Sequence, residues 1–220
     1  MTDVLYHWPD AARFGKTIPK TKFYEHGSVS ASVRARFVAE VDRITWAYKL
    51  AESTINLPGS SEVPEIQILR VTGKAADVSD TVLAAIDKAI KQPVIFEIAT
   101  AEGVRMTATL KAGVESGRYY TTEWSRDDAR LPLPPSISLS NLYAALLEPM
   151  LPIRFRGGEG LWDVAERLAA CTRLEREVAT LERKLRAEPQ LNRKVELRRT
   201  LRTQQARLAE LTNSTPASTP

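Results

Sequence analysis

Cysteine is almost absent, since Cys171 is the only one in 220 residues. A single thiol excludes an intramolecular disulfide and any zinc site built from several thiolates, and it fits a reducing compartment. Histidine is scarce too, with only His7 and His26, so the usual general acid–base residue near neutral pH is confined to the start of the chain. No run of about 18 apolar residues occurs, and Met1-Thr-Asp-Val-Leu-Tyr-His-Trp-Pro has no basic stretch followed by an apolar one. These absences lead us to expect a cytoplasmic chain without a membrane span. Phosphate-loop and dinucleotide-loop spacings are missing as well. Arg156-Gly-Gly-Glu-Gly lacks both a following Lys-Ser/Thr and a preceding strand, and reads as a linker. We expect neither a cofactor nor a metal.

What is present suits a folded chain. Hydrophobic residues make up 43% and charged residues 26%, and the length allows one domain with a core plus an appended element. The net charge of +4 becomes informative once located. Residues 161–211 hold twelve Lys/Arg against eight Asp/Glu, so everything before them sums to zero. Within that tail, Arg183 to Arg202 carries eight cations against Glu188 and Glu196 alone.

Patterning predicts an α+β fold: a small mixed sheet covered by helices, followed by a C-terminal antiparallel helical hairpin of coiled-coil type. The expected domains are 1–155, a basic hairpin over 161–211 and a disordered tail over 212–220. Residues 1–19 read as an extended lead-in packed by Tyr6, Trp8 and Phe14, and Lys20 to His26 as a short strand. Ser28 or Ser30 is a plausible cap for a helix from Ser32 to about Leu50, where Val33, Phe37, Val41, Ile44 and Tyr48 recur at helical spacing. Glu65 to Val71 reads as a buried strand and Ser79 to Ile90 as a helix. Val94 to Thr100 and Val104 to Ala112 read as a hairpin turning at Glu102-Gly103, and Arg118 to Trp124 as a third strand. A short helix from Leu139 stops at Pro149 and Pro152.

Beyond Gly160, Leu161, Val164, Leu168, Cys171, Leu174, Val178, Leu181 and Leu185 form a heptad-like seam. Leu197, Leu201, Gln204, Leu208 and Leu211 form a second. Pro189 lies between them, and because proline inside a helix costs roughly 3 kcal/mol, a turn at 187–191 is favoured over one kinked helix. Cys171, on the first seam, reads as a buried structural thiol.

The run Gln190-Leu-Asn-Arg-Lys-Val-Glu-Leu resembles the marker motif of bacterial domain-of-unknown-function family 4391. Other pieces agree in order: Ile18-Pro-Lys-Thr-Lys-Phe-Tyr24, Val41-Asp-Arg-Ile-Thr-Trp-Ala-Tyr-Lys-Leu, Glu65-Ile-Gln-Ile, Ile86-Asp-Lys-Ala-Ile and Tyr119-Tyr-Thr-Thr-Glu-Trp124. The chain departs from the pattern at Pro189 and at Leu191, where an aromatic residue is usual. The resemblance carries no biochemical activity. It implies a setting among helicases and DNA methyltransferases in restriction-like or phage-defence clusters, and hence a protein partner of that kind.

The expected function is therefore a non-enzymatic accessory subunit that binds a protein partner and, with it, nucleic acid. Two alternatives stand beside it: a metal-dependent nuclease using Glu97, Glu102 and Lys111, and a pure oligomerisation module acting through the coiled coil. Candidate contact residues mix cations with aromatics, a combination suited to phosphate contacts and base stacking: Lys20, Lys22, Tyr24, Arg36, Arg43 and Lys49. In the tail they are Asn192, Arg193, Lys194, Glu196, Arg198 and Arg199. There Asn192 can also cap backbone amides, and Glu196 can pair with Arg193 or Arg199.

Overall fold

The helical spacing from Val33 to Tyr48 does not produce one helix. In the computed structural model, which describes residues 4–26, 29–111 and 118–213, α2 (Ala31–Glu40) ends at Val41 and the chain enters β2 (Val41–Ala51). Ser30 caps α2, its hydroxyl accepting from the Val33 amide at 3.4 Å. Beyond Glu40 the composition changes to Val41, Ile44, Thr45, Trp46 and Tyr48, β-branched and aromatic side chains that pack well on a pleated surface. The strand's period of two is hidden by two irregularities in its pairing with the next strand, at Val41/Arg43 and at Trp46/Tyr48. Each bulge shifts the alternation by one residue, leaving apolar positions that imitate a helical face. The stretch from Lys20 to His26, expected as a strand, is instead α1 (Lys20–His26). It buries Phe23 against Phe37 of α2.

The chain divides into two units, Met1–Leu151 and Pro152–Pro220. The first is built on a six-stranded sheet in the order β1 (Arg13–Thr17), β2, β3 (Glu65–Gly73), β4 (Val94–Thr100), β5 (Gly103–Ala108) and β6 (Tyr120–Thr121). All neighbours are antiparallel except β3 and β4, which are parallel and joined across the sheet by α4 (Asp80–Lys88), as a parallel pair requires. The lead-in thus contributes an unexpected edge strand. The expected strand over Arg118 to Trp124 shrinks to two residues plus a single bridge between Val104 and Ser125. The hairpin turns at Ala101-Glu102, one residue earlier than its Gly suggests, because Gly103 already pairs with Thr100. Glycine is needed there for another reason: its φ is +130°, and a Cβ would lie 2.5 Å from the Ser125 carbonyl oxygen.

Val82, Leu83 and Ile86 of α4 close the core over Leu69, Val71, Phe96 and Ile98 on one sheet face. The opposite face carries Arg70 and Glu97, which are register partners in β3 and β4. Two short helices, α3 (Glu52–Ile55) and α5 (Leu139–Leu147), complete this unit.

In the second unit, α6 (Leu161–Ala187) and α7 (Leu191–Thr212) pack side by side, turning at Glu188 to Gln190 as Pro189 requires. They run antiparallel, since Arg167 near the start of α6 donates to the Leu211 carbonyl near the end of α7 at 2.8 Å. Thr212, expected in the tail, closes α7, and residues 214–220 lie outside the described residues, as does 112–117.

Candidate functional site

A buried carboxylate organises the first unit. Glu97 is 1% exposed, and strand alternation turns it away from the core face of Phe96 and Ile98. Its Oε1 accepts from Trp8 Nε1 and from Arg130 Nη1, both at 2.7 Å, and its Oε2 from Arg130 Nη2 at 3.1 Å and Arg70 Nη1 at 3.4 Å. Asp127 joins the same two arginines. It takes a two-pronged contact from Arg70, at 3.1 and 2.6 Å, and one from Arg130 Nη2 at 2.7 Å. Arg130 also donates to the carbonyls of Tyr6 (2.7 Å) and Asp127 (3.0 Å), which gives all five of its N–H groups acceptors.

Two segments without regular structure deliver these partners. The Leu131-Pro-Leu-Pro-Pro connector is tied to the N-terminal lead-in by His7 N–H to Leu131 O at 2.7 Å and Leu131 N–H to Leu5 O at 2.8 Å. That ladder sets Trp8 and Arg130 over the sheet face carrying Glu97 and Arg70.

The charge balance fixes the protonation states. Arg70 hydrogen bonding, opposed by partial burial and aided by Arg130, holds the Asp127 carboxyl down to about 2. Burial works against the charge of Arg130, but its bonds to Glu97 and Asp127 outweigh that and raise its pKa above the usual guanidinium value. A depressed carboxyl contributes stability above its unfolded pKa near 3.9 and loses it as pH falls through the folded value. We therefore expect acid to weaken the unit between about pH 4 and about 2, and Asp127→Asn to remove that part of the pH dependence. The difference should be no more than about 1 kcal/mol, because the Asp127 side chain is half exposed and water screens it. Thermal melts of both proteins across this range measure it.

Beside the cluster opens a cavity of about 860 Å³. Sheet residues Gly15, Thr45 and Ala47 line it together with Trp8, Tyr48, Pro132 and Leu133, and Arg70, Glu97, Asp127 and Arg130 of the cluster border it too. The bulge in β2 lets the successive residues Ala47 and Tyr48 both border it. Arg13, Asp10 and His7 also line it, with no ion pair or side-chain hydrogen bond among the described residues.

Both units contribute residues to a single match with a known family. The sequence profile of the domain of unknown function DUF4391 matches residues 7–208. The chain belongs to this family. No curated protein and no solved structure matches it. In this DUF4391 member the Ile86-Asp-Lys-Ala-Ile segment ends α4, where Asp87 meets Lys111 Nζ at 2.8 Å and the Tyr119 hydroxyl at 3.5 Å. Burial pushes the Asp87 carboxyl up, and the bonds from Lys111 and Tyr119 oppose it. Lys111 also donates to the carbonyls of Ile90 and Gln92 at 2.6 and 2.9 Å, capping the end of α4.

Lys111 is therefore occupied on the α4 side of the sheet while Glu97 lies on the other face, and Glu102 is exposed at the hairpin turn. The grouping weighed for a nuclease is not assembled. Among the described residues, no three His, Cys, Asp or Glu side chains are placed to hold one metal ion.

The contact candidates of the N-terminal unit are dispersed over α1, α2 and β2, where one helix had been expected to carry Arg36, Arg43 and Lys49. Lys20 donates to the Val41 carbonyl, and burial together with Lys74 lowers its pKa. Lys22 pairs with Glu25, Arg36 with Glu40 and Lys49 with Glu65. Tyr24 packs edge-on against Phe37. Arg43 is exposed.

The tail candidates lie together on α7, which buries no residue. Asn192 is exposed and makes no capping bond among the described residues; Gln190 is the N-cap of α7, without a side-chain cap bond. Glu196 makes no ion pair with Arg193 or Arg199 among the described residues. Arg193, Arg198 and Arg199 are exposed and Lys194 half-buried, and none takes part in an ion pair there. The seam residues Leu197, Leu201, Gln204, Leu208 and Leu211 are half-buried against α6. Cys171 is buried in α6, and burial raises its thiol pKa. No helix among the described residues is long and apolar enough to cross a membrane.

Proposed function

We propose that this DUF4391 chain is a non-catalytic binding subunit of a DNA-processing assembly of the restriction-like or phage-defence kind, holding a protein partner and neutralising phosphates through α7. One observation carries the reading: the cations from Arg193 to Arg202 form no ion pairs among the described residues and mostly face solvent. Cations serving only the hairpin would be expected to pair with neighbouring acids. Concentrated on one helix and left unpaired, they form an electrostatic footprint for a polyanion. The family resemblance to companions of helicases and DNA methyltransferases supplies the setting and the partner class.

Salt titration tests it. If about four cations neutralise duplex phosphates, log K against log salt should fall with a slope of about −3.6, at about −0.9 per contact. Changing Arg193, Lys194, Arg198 and Arg199 together to Gln should flatten the slope by a similar amount and leave the helices intact, since Gln is a comparable helix former. An unchanged slope, or no DNA binding at about 50 mM salt with and without partner, would overturn the phosphate contact. Metal-dependent cleavage of the bound DNA would overturn the non-catalytic part.

A further inference from the structure

The cavity lined in part by Glu97 has the size and the lining of a ligand site. Its volume of about 860 Å³ falls within the range of about 300–1,000 Å³ usual for small-molecule sites. Arg130 has no N–H left to offer, so recognition falls to the groups not already spent. Arg70 keeps its Nε–H and one Nη2–H without an acceptor among the described residues, after its bonds to Asp127 and Glu97. Arg13, exposed on the edge strand β1, has no ion pair there, and Asp10 is likewise unpaired. The aromatic rings of Trp8 and Tyr48, 6.2 Å apart and tilted by 39°, supply the apolar side.

These leftovers have a specific complement: an anionic group for Arg13 and Arg70, a flat body against the aromatic side, and a hydrogen-bond donor for the Asp10 carboxylate. A simple aliphatic carboxylic acid or inorganic phosphate supplies only the first. A nucleotide supplies all three through its phosphate, its planar base and the N–H groups of the base edge. We infer that the cavity binds a single nucleotide, either free or as one unstacked residue of a single strand. This goes beyond the phosphate contacts assigned to α7, and it needs none of them.

Titration of the full chain with nucleoside monophosphates, inorganic phosphate and short single-stranded oligonucleotides, followed calorimetrically, tests the inference. At least one nucleoside monophosphate should bind saturably below about 1 mM and about tenfold or more tighter than phosphate. Arg13→Gln should weaken binding about tenfold through loss of a charge-assisted contact. Its melting temperature should be unchanged, because Arg13 has no side-chain partner to lose among the described residues. Ala47→Trp, which puts an indole at a lining position while removing no charge, should abolish binding. The quadruple Gln variant of α7 should bind the mononucleotide as the unaltered chain does, which separates failure here from failure of the phosphate-contact reading. In the quadruple Gln variant, tighter binding of a pentanucleotide than of the monomer would identify a strand as the source, and equal binding a free nucleotide. Lack of saturable binding up to about 5 mM, or unaltered binding by both Arg13→Gln and Ala47→Trp, would overturn the inference.

Discussion

Replacing Glu97 by Ala should lower the stability of the Met1–Leu151 unit by about 3–5 kcal/mol, the largest loss we expect from a single substitution there. The side chain is 1% exposed and answers three donors: the Trp8 indole, Arg130 and Arg70. Without it, Arg130, whose side chain is 13% exposed, keeps Asp127 but loses the partner of two of its N–H groups. The Trp8 N–H is left unpaired in a buried site, which alone costs about 1–3 kcal/mol. The ion pair is not itself a large source of stability, because removing two charges from water offsets most of their attraction. Hence the double variant Glu97→Leu/Arg130→Met should be less destabilised than Glu97→Ala, while still losing the acceptor of the Trp8 N–H. Urea unfolding followed by tryptophan fluorescence gives both values. A loss below about 1 kcal/mol for Glu97→Ala would mean that water reaches the cluster.

Much of this architecture can be read from residue order, and the parts that cannot have physical causes. The strands at Glu65, Val94 and Gly103 are short apolar runs bounded by breakers, and α4 presents Val82, Leu83 and Ile86 at helical spacing, so local pattern and tertiary packing agree. The hairpin is legible because two seams flank Pro189 and a proline-free continuation is impossible. β2 is misleading because its two bulges break the alternation that identifies a strand, and α1 because seven residues are too few for a period to assert itself against the pull of Phe23 into the core. The Glu97 cluster illustrates a different obstacle. Glu97 is the lone charge of its strand and Arg70 the only one inside its own, where Glu65 stands at the end, and opposite charges embedded in two buried strands are a signal of a paired site. What sequence order hides is the parallel register that makes them neighbours, and the lead-in and connector that bring Trp8 and Arg130 from about 90 and 30 residues away. The tail cations are visible as a charge cluster, whereas their lack of ion pairs among the described residues depends on side-chain geometry.

The hairpin rests on a second buried arginine. Arg167 is 6% exposed; its Nε and Nη2 reach Glu159 at 2.7 and 2.6 Å, its Nη2 the Arg154 carbonyl at 2.7 Å, and its Nη1 the Leu211 carbonyl at 2.8 Å. Arg156 adds contacts to the carbonyls of Glu210 at 2.6 Å and Asn213 at 3.0 Å. Together they place two cations on the carbonyls at the C-terminus of α7, where the helix dipole is negative. Because α7 buries no residue of its own and its seam is only half-buried, these contacts carry an unusual share of its docking onto α6. Arg167→Ala should therefore cost about 3–5 kcal/mol, leaving the Glu159 carboxylate without its main cation and the Leu211 carbonyl unpaired. Loss of α7 from the pair should appear as reduced helical circular dichroism and a lower urea midpoint for the helical signal. Arg167→Lys should recover only part, since an ammonium cannot span Glu159 and two carbonyls with a planar fork. Arg156→Gln should cost less, because its side chain is more exposed. If Arg167→Ala leaves the helical signal and its midpoint unchanged, the half-buried seam alone holds α7, and the arginine clamp is not what closes the hairpin.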